Sequence, residues 1–155
     1  MGLDMYLSAS AYVYGYEHNL DARFEKILSV INLNRTDVHK FLEVNVTVGY
    51  WRKANAIHNW FVKNVQGSND DCRQYYVSPD HLKELRRICK LALFDYNAGD
   101  FESAAKTLPP TEGFFFGSTK LDDGYKADLE HTIELINRCL SDTFKGFDFN
   151  YRASW

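Results

Sequence analysis

The sequence predicts an α+β protein: a single two-layer domain over residues 1–155, with a mostly antiparallel or mixed sheet and helices packed on one face. Three alternating segments carry that expectation. In residues 3–14, Leu3, Met5, Leu7, Ala9, Ala11 and Val13 face one way, against Asp4, Tyr6, Ser8, Ser10, Tyr12 and Tyr14. The end of the chain repeats the pattern, with Phe147, Phe149, Tyr151, Ala153 and Trp155 against Asp148, Asn150, Arg152 and Ser154. Val44, Val46, Val48 and Tyr50 give a third case. Period-two alternation marks strands with one buried face, whereas all-parallel sheets read as continuous apolar runs. Because the two terminal segments share this half-buried pattern, they are expected to pair.

Four helical patterns supply the covering layer. Residues 21–33 place Phe24, Ile27, Leu28 and Ile31 on one stripe. Residues 51–65 follow directly from the third strand, with an apolar arc of Trp51, Ala54, Ile57, Phe61, Val62 and Val65. Ser78 then caps a helix with Pro79 at its first position and Leu82, Leu85, Ile88, Cys89 and Ala92 on its apolar face. The last helix opens at Thr119-Lys120-Leu121-Asp122, which looks like a capping box, and runs on Tyr125, Leu129, Ile133, Ile136 and Leu140. Phe114-Phe115-Phe116, bracketed by Gly113 and Gly117, reads as a short strand buried on both faces. Residues 15–20 and 34–42 read as loop or short helix.

Composition narrows the function classes. A net charge of −3 disfavours a dedicated DNA or RNA binder, which needs a basic footprint. Three scattered cysteines without a C-x-x-C fit a reducing compartment rather than a disulfide framework. No apolar run approaches the roughly 18 residues of a membrane span, so a soluble, cytoplasmic protein is expected. Eleven Phe, ten Tyr and three Trp are a surplus of the residue types that line binding surfaces.

The candidate site is centred on the 51–65 segment. His58 falls mid-arc and Trp60 about 130° from the arc's centre at 100° per residue, on the same side as Lys53. Lys53 and Trp60 could then form a stacking platform with a cation beside it, suited to a base and its phosphate. The plainer reading of His58 is a core histidine whose nitrogens meet backbone or Asn55; the functional one is a pocket hydrogen-bonding group. With no second ligand at metal spacing on that helix, no metal site is expected, and no cofactor. Lys83, Arg86, Arg87 and Lys90 share one helical arc that could hold a phosphate or acidic partner, though such stripes are usually just solvated. Gly117-Ser118-Thr119-Lys120 invites an anion-site reading, but it is not a P-loop, and Asp122 and Asp123 favour capping. No nucleophile motif points to a catalytic residue.

The opening Met1-Gly2-Leu3-Asp4-Met5-Tyr6-Leu7, the Tyr50–Val62 segment and Gly113-Phe114-Phe115-Phe116-Gly117-Ser118 together resemble a group of small, mostly uncharacterised phage, prophage and bacterial proteins. The resemblance implies an accessory protein working inside a bacterial cell, by sequestering a host nucleotide signal or blocking a host protein. Together with the residues, it gives a non-enzymatic binder of a phosphorylated, base-containing small molecule as the leading expectation, with Lys53, Asn55, His58, Trp60, Arg86 and Arg87 as ligand-binding candidates. The alternatives are a protein-interaction module using Tyr6, Tyr12 and Tyr14, and a small nucleotide hydrolase or transferase using His58. A homo-oligomer is compatible with all three.

Overall fold

The computed structural model describes residues 2–155 and is α+β, as expected. The elements are β1 (Asp4–Tyr16), β2 (Asn19–Leu20), α1 (Ala22–Ile31), β3 (Phe41–Arg52), α2 (Asn55–Asn64), β4 (Tyr75–Val77), α3 (Pro79–Asn97), α4 (Phe101–Thr107), α5 (Asp123–Cys139) and β5 (Asp148–Ser154). Among the described residues five strands make one antiparallel sheet in the order β2-β1-β5-β4, with β3 also pairing with β1. The terminal strands are therefore neighbours.

The chain forms two compact units, Met1–Ala9 with Thr47–Trp155, and Ser10–Val46. In the larger unit Leu3, just before β1, with Met5, Leu7 and Ala9 from β1 and Phe149, Tyr151 and Ala153 from β5, buries one sheet face. Against that face lie Ile57 and Phe61 of α2, Leu82, Leu85 and Cys89 of α3, and Leu129, Leu135 and Ile136 of α5. The β4–β5 register sets Tyr75 opposite Tyr151 and Val77 opposite Phe149. Ser78 caps α3 as its sequence predicts, its side chain accepting from the His81 N–H. In the smaller unit, Val13, Phe24 and Leu28 form a separate small core.

Several boundaries differ from the sequence expectation. Trp51 belongs to the end of β3, where its indole N–H donates to Thr132 Oγ at 2.9 Å, so the helix starts four residues later. Buried positions on β3 change phase, from half-buried Val48 to buried Gly49 and Trp51, leaving Tyr50 outside. At Gly49 a side chain would collide with Leu135. Asp122, not Thr119, caps α5, accepting from the N–H groups of Gly124 and Tyr125. Ile31 and Trp155 are exposed and Phe147 is only half-buried. The triple Phe is a turn rather than a strand: Phe116 is buried, but Phe114 is 74% exposed and Phe115 projects as well. The α4 helix and β4 strand have no counterpart in the sequence reading.

Candidate functional site

The side chain of Asn55, the first residue of α2, organises this region. Its Nδ2 donates to the carbonyl oxygens of Phe116 (3.2 Å) and Ser118 (2.8 Å), and its Oδ1 accepts from the Thr111 N–H at 3.3 Å. One buried amide thus fastens the 111–118 loop to the start of α2. Expected as a ligand contact, Asn55 has both its N–H donors and one acceptor position of its oxygen engaged by the protein's own backbone.

That fastening coincides with backbone strain. Among the described residues four non-glycine residues have positive φ, and two of them, Lys53 and Phe115 (both 60°), lie here. A β-carbon on Gly2 would lie 3.3 Å from Lys53 Cε and 3.4 Å from the Phe115 carbonyl oxygen, so the two strained residues converge. Gly117, at φ 94°, packs so tightly that a Cβ would sit 3.0 Å from Lys53 Cβ. Left-handed backbone at a lysine and a phenylalanine costs about 1–3 kcal/mol each, and such residues gather at ligand sites and switches.

A cavity of about 250 Å³ opens at this point, lined by Arg52, Lys53, Asn55, Ala56, Gly117, Ser118, Lys120, Asp122, Gly124, Tyr125 and Asp128. Arg52, Lys53 and Lys120 have no carboxylate ion-pair partner among the described residues. The N-cap of α2 is Ala54, which offers no side-chain acceptor, and the Ala56 and Ile57 N–H groups find no acceptor among the described residues. A helix start with unsatisfied N–H groups favours an anion, and the three cations add to that preference. Opposite them, Asp122 is occupied in capping α5. Burial, with the charge of Asp122 beside it, pushes the Asp128 carboxyl up to about 6.

His58 is completely buried and does not line this cavity. Its Nδ1 lies 2.8 Å from Tyr151 Oη and its Nε2 lies 3.1 Å from Asp70 Oδ1. An ionised carboxylate can only accept, so Nε2 carries the proton toward Asp70 and Nδ1 accepts from the tyrosine hydroxyl. Burial lowers the imidazole's pKa from its ordinary value, against the opposing pull of Asp70. The ring also packs edge-on to Phe116 and near Trp155. Its nitrogens meet Tyr151 and Asp70 rather than backbone or Asn55.

Trp60 is not outside the core. It is 7% exposed, packs edge-on to Phe61, and lines a second cavity with Lys63, Glu84, Ile88 and Leu108. The helix arc misplaced it because α2 is covered on a second side by α3 and residues 107–109. Lys53 precedes the helix and lines the first cavity, so the Lys53–Trp60 platform does not form. The cation stripe on α3 is also largely partnered: Arg87 forks onto Glu84 at 2.8 and 2.7 Å, Lys83 pairs with Asp80, and Arg86 donates to Asn137. Of the six candidate residues, only Lys53 and Asn55 come together. Arg52, Ser118, Lys120 and Asp128 were not chosen from sequence, although the Gly117–Lys120 stretch carried a visible anion-site signal.

Among the described residues, no group of three or more His, Cys, Asp and Glu side chains is placed to hold a metal ion. Nor, among them, is any helix long and apolar enough to cross a membrane. Comparison with protein-family models, curated proteins and solved structures finds no match to this chain.

Proposed function

We propose that the protein binds a phosphorylated, base-containing small molecule in the cavity at the start of α2, without converting it. The observation that carries this reading is the convergence of Arg52, Lys53 and Lys120, none with an acidic ion-pair partner among the described residues, on an uncapped helix start. The phosphate sits among these cations and the first-turn N–H groups. A planar base stacks on the exposed Phe114–Phe115 pair, whose rings lie 4.3 Å apart. Phe115, close to Lys53, takes the aromatic role that the sequence reading gave to Trp60. The cavity is slightly smaller than the roughly 300–1,000 Å³ typical of small-molecule sites, which suits a ligand of mononucleotide size. The resemblance to phage, prophage and bacterial proteins supports sequestration of a host-defence signal in the bacterial cytoplasm as the setting.

The test separates binding from folding. Lys53→Gly removes the cation and also the left-handed strain, so stability should stay level or rise by up to about 1 kcal/mol. Affinity for guanosine or adenosine monophosphate, measured by calorimetry, should nevertheless fall roughly tenfold or more, the scale of one charge-assisted hydrogen bond. A wild type that binds neither nucleotide nor inorganic phosphate, or a Lys53→Gly protein that binds them equally well, overturns the proposal.

A second reading rests on the smaller unit. There Tyr12, Tyr14 and Phe41 form an exposed aromatic row, with Tyr12 6.3 Å from Tyr14 and 5.9 Å from Phe41 between ring centres. That surface suits blocking of a host protein, and loss of partner capture in a folded Tyr12→Ser/Tyr14→Ser protein would favour it.

A further inference from the structure

The cavity is not uniformly cationic, and its acidic wall is unevenly committed. Asp122 spends its Oδ1 on the N–H groups of Gly124 (3.0 Å) and Tyr125 (3.2 Å). The Tyr125 hydroxyl is turned away, donating to the carbonyl oxygen of Leu108 at 2.9 Å. Asp128 differs: its backbone carbonyl accepts from Thr132, but its carboxylate has no hydrogen bond or ion pair among the described residues. Of the two carboxylates lining the cavity, it is the one with both oxygens unspent among the described residues.

A carboxylate offers two oxygens side by side and no donor when ionised, so its best partner presents two parallel N–H groups. Among the common nucleobases, guanine has such an edge, with a ring N–H beside an exocyclic amino group. Adenine sets an amino group beside a bare ring nitrogen, whose lone pair would face the carboxylate. Cytosine and uracil each offer a single donor position there. Resting on the nucleotide reading above, we propose that Asp128 is the specificity-determining residue of this cavity and selects a guanine base through its paired N–H groups. The phosphate is held apart from it by Arg52, Lys53 and Lys120.

Protonation supplies an independent handle. The titratable and charged groups lining the cavity with Asp128 are Asp122 and Tyr125 at the start of α5, Lys120 on the preceding loop, Arg52 at the end of β3 and Lys53 just after it. Because burial raises Asp128 to about 6, its acceptor pair is intact at neutral pH and half lost on mild acidification.

The experiment is calorimetric titration of the full chain with guanosine, inosine and adenosine monophosphates and with inorganic phosphate. At about pH 7.5 the guanine nucleotide should bind roughly tenfold or more tightly than the adenine one, the scale of one bidentate base contact. Inosine monophosphate, which lacks the amino group, should fall between them. In Asp128→Asn the amide offers one acceptor and one donor, so the preference should turn toward adenine. At about pH 5 the protonated carboxyl, like the amide, offers one donor and one acceptor, so the wild-type guanine-to-adenine ratio should fall to one or below; both nucleotides carry the same phosphate, whose own titration cancels in the ratio. Equal binding of guanine and adenine nucleotides at neutral pH overturns the role of Asp128 and leaves the nucleotide reading standing. Failure of every probe to bind overturns both. Should Asp128→Asn not fold, the inosine and pH comparisons on the wild type still decide.

Discussion

Tyr151→Phe tests the buried Tyr151–His58–Asp70 chain with little disturbance to packing. Phenylalanine keeps the ring, and with it the 3.9 Å, near-parallel stack on Phe61. The change removes the hydroxyl that donates to His58 Nδ1 at 2.8 Å. His58 is fully buried, so Nδ1 becomes an acceptor without a donor, a penalty of about 1–3 kcal/mol. For a chain of this size each kcal/mol moves the melting temperature by roughly 2–4 °C, so a fall of roughly 2–12 °C is expected. Denaturant titration and thermal melting at neutral pH measure it. The same chain fixes a pH response. The folded imidazole's pKa is lowered, mainly by burial, so below the ordinary histidine value of about 6.5 the unfolded state binds more protons. Stability is therefore full above that value and lost as pH falls through it toward the folded pKa. His58→Gln should abolish that part of the acid slope. A Tyr151→Phe protein within about 0.5 kcal/mol of wild type would refute the hydroxyl's assigned role, since an unmade buried hydrogen bond costs more. An acid slope unchanged in His58→Gln would refute the titration argument.

Further outcomes follow from the packing around α2. Trp60→Ala should destabilise by about 3–5 kcal/mol in chemical denaturation, as a core truncation, and an effect below about 1 kcal/mol would contradict its burial. Asn55→Ala leaves the Phe116 and Ser118 carbonyl groups without their donor; it should raise hydrogen exchange of the 111–118 backbone and cost about 1–3 kcal/mol, while unchanged exchange there would show the loop is held otherwise.

How far the sequence reaches can be judged residue by residue. The alternation at 3–14 and 147–155 was sufficient to place both terminal strands, because a sheet with one wet face imposes burial at every second position. Ser78-Pro79 sufficed for the start of α3, because capping is a local hydrogen bond and proline's fixed φ suits the first turn. At 51–54 the same style of reasoning failed. Apolar spacing there is compatible with a helix, yet Trp51 is held on β3 by Thr132 of α5, and the left-handed turn at Lys53 is tied to Gly117. Trp60 lies off the helix's main arc, and only the chain passing over it at 107–109 makes that second side an interior. The run of three phenylalanines says how much apolar area exists but not which rings find cover; a positive φ at Phe115 turns two of them outward. The cavity is the extreme case, for its walls come from the end of β3, the start of α2, the 117–120 loop and the first turns of α5. Period and propensity act over a few residues, whereas a pocket is made by the contacts that bring distant residues together.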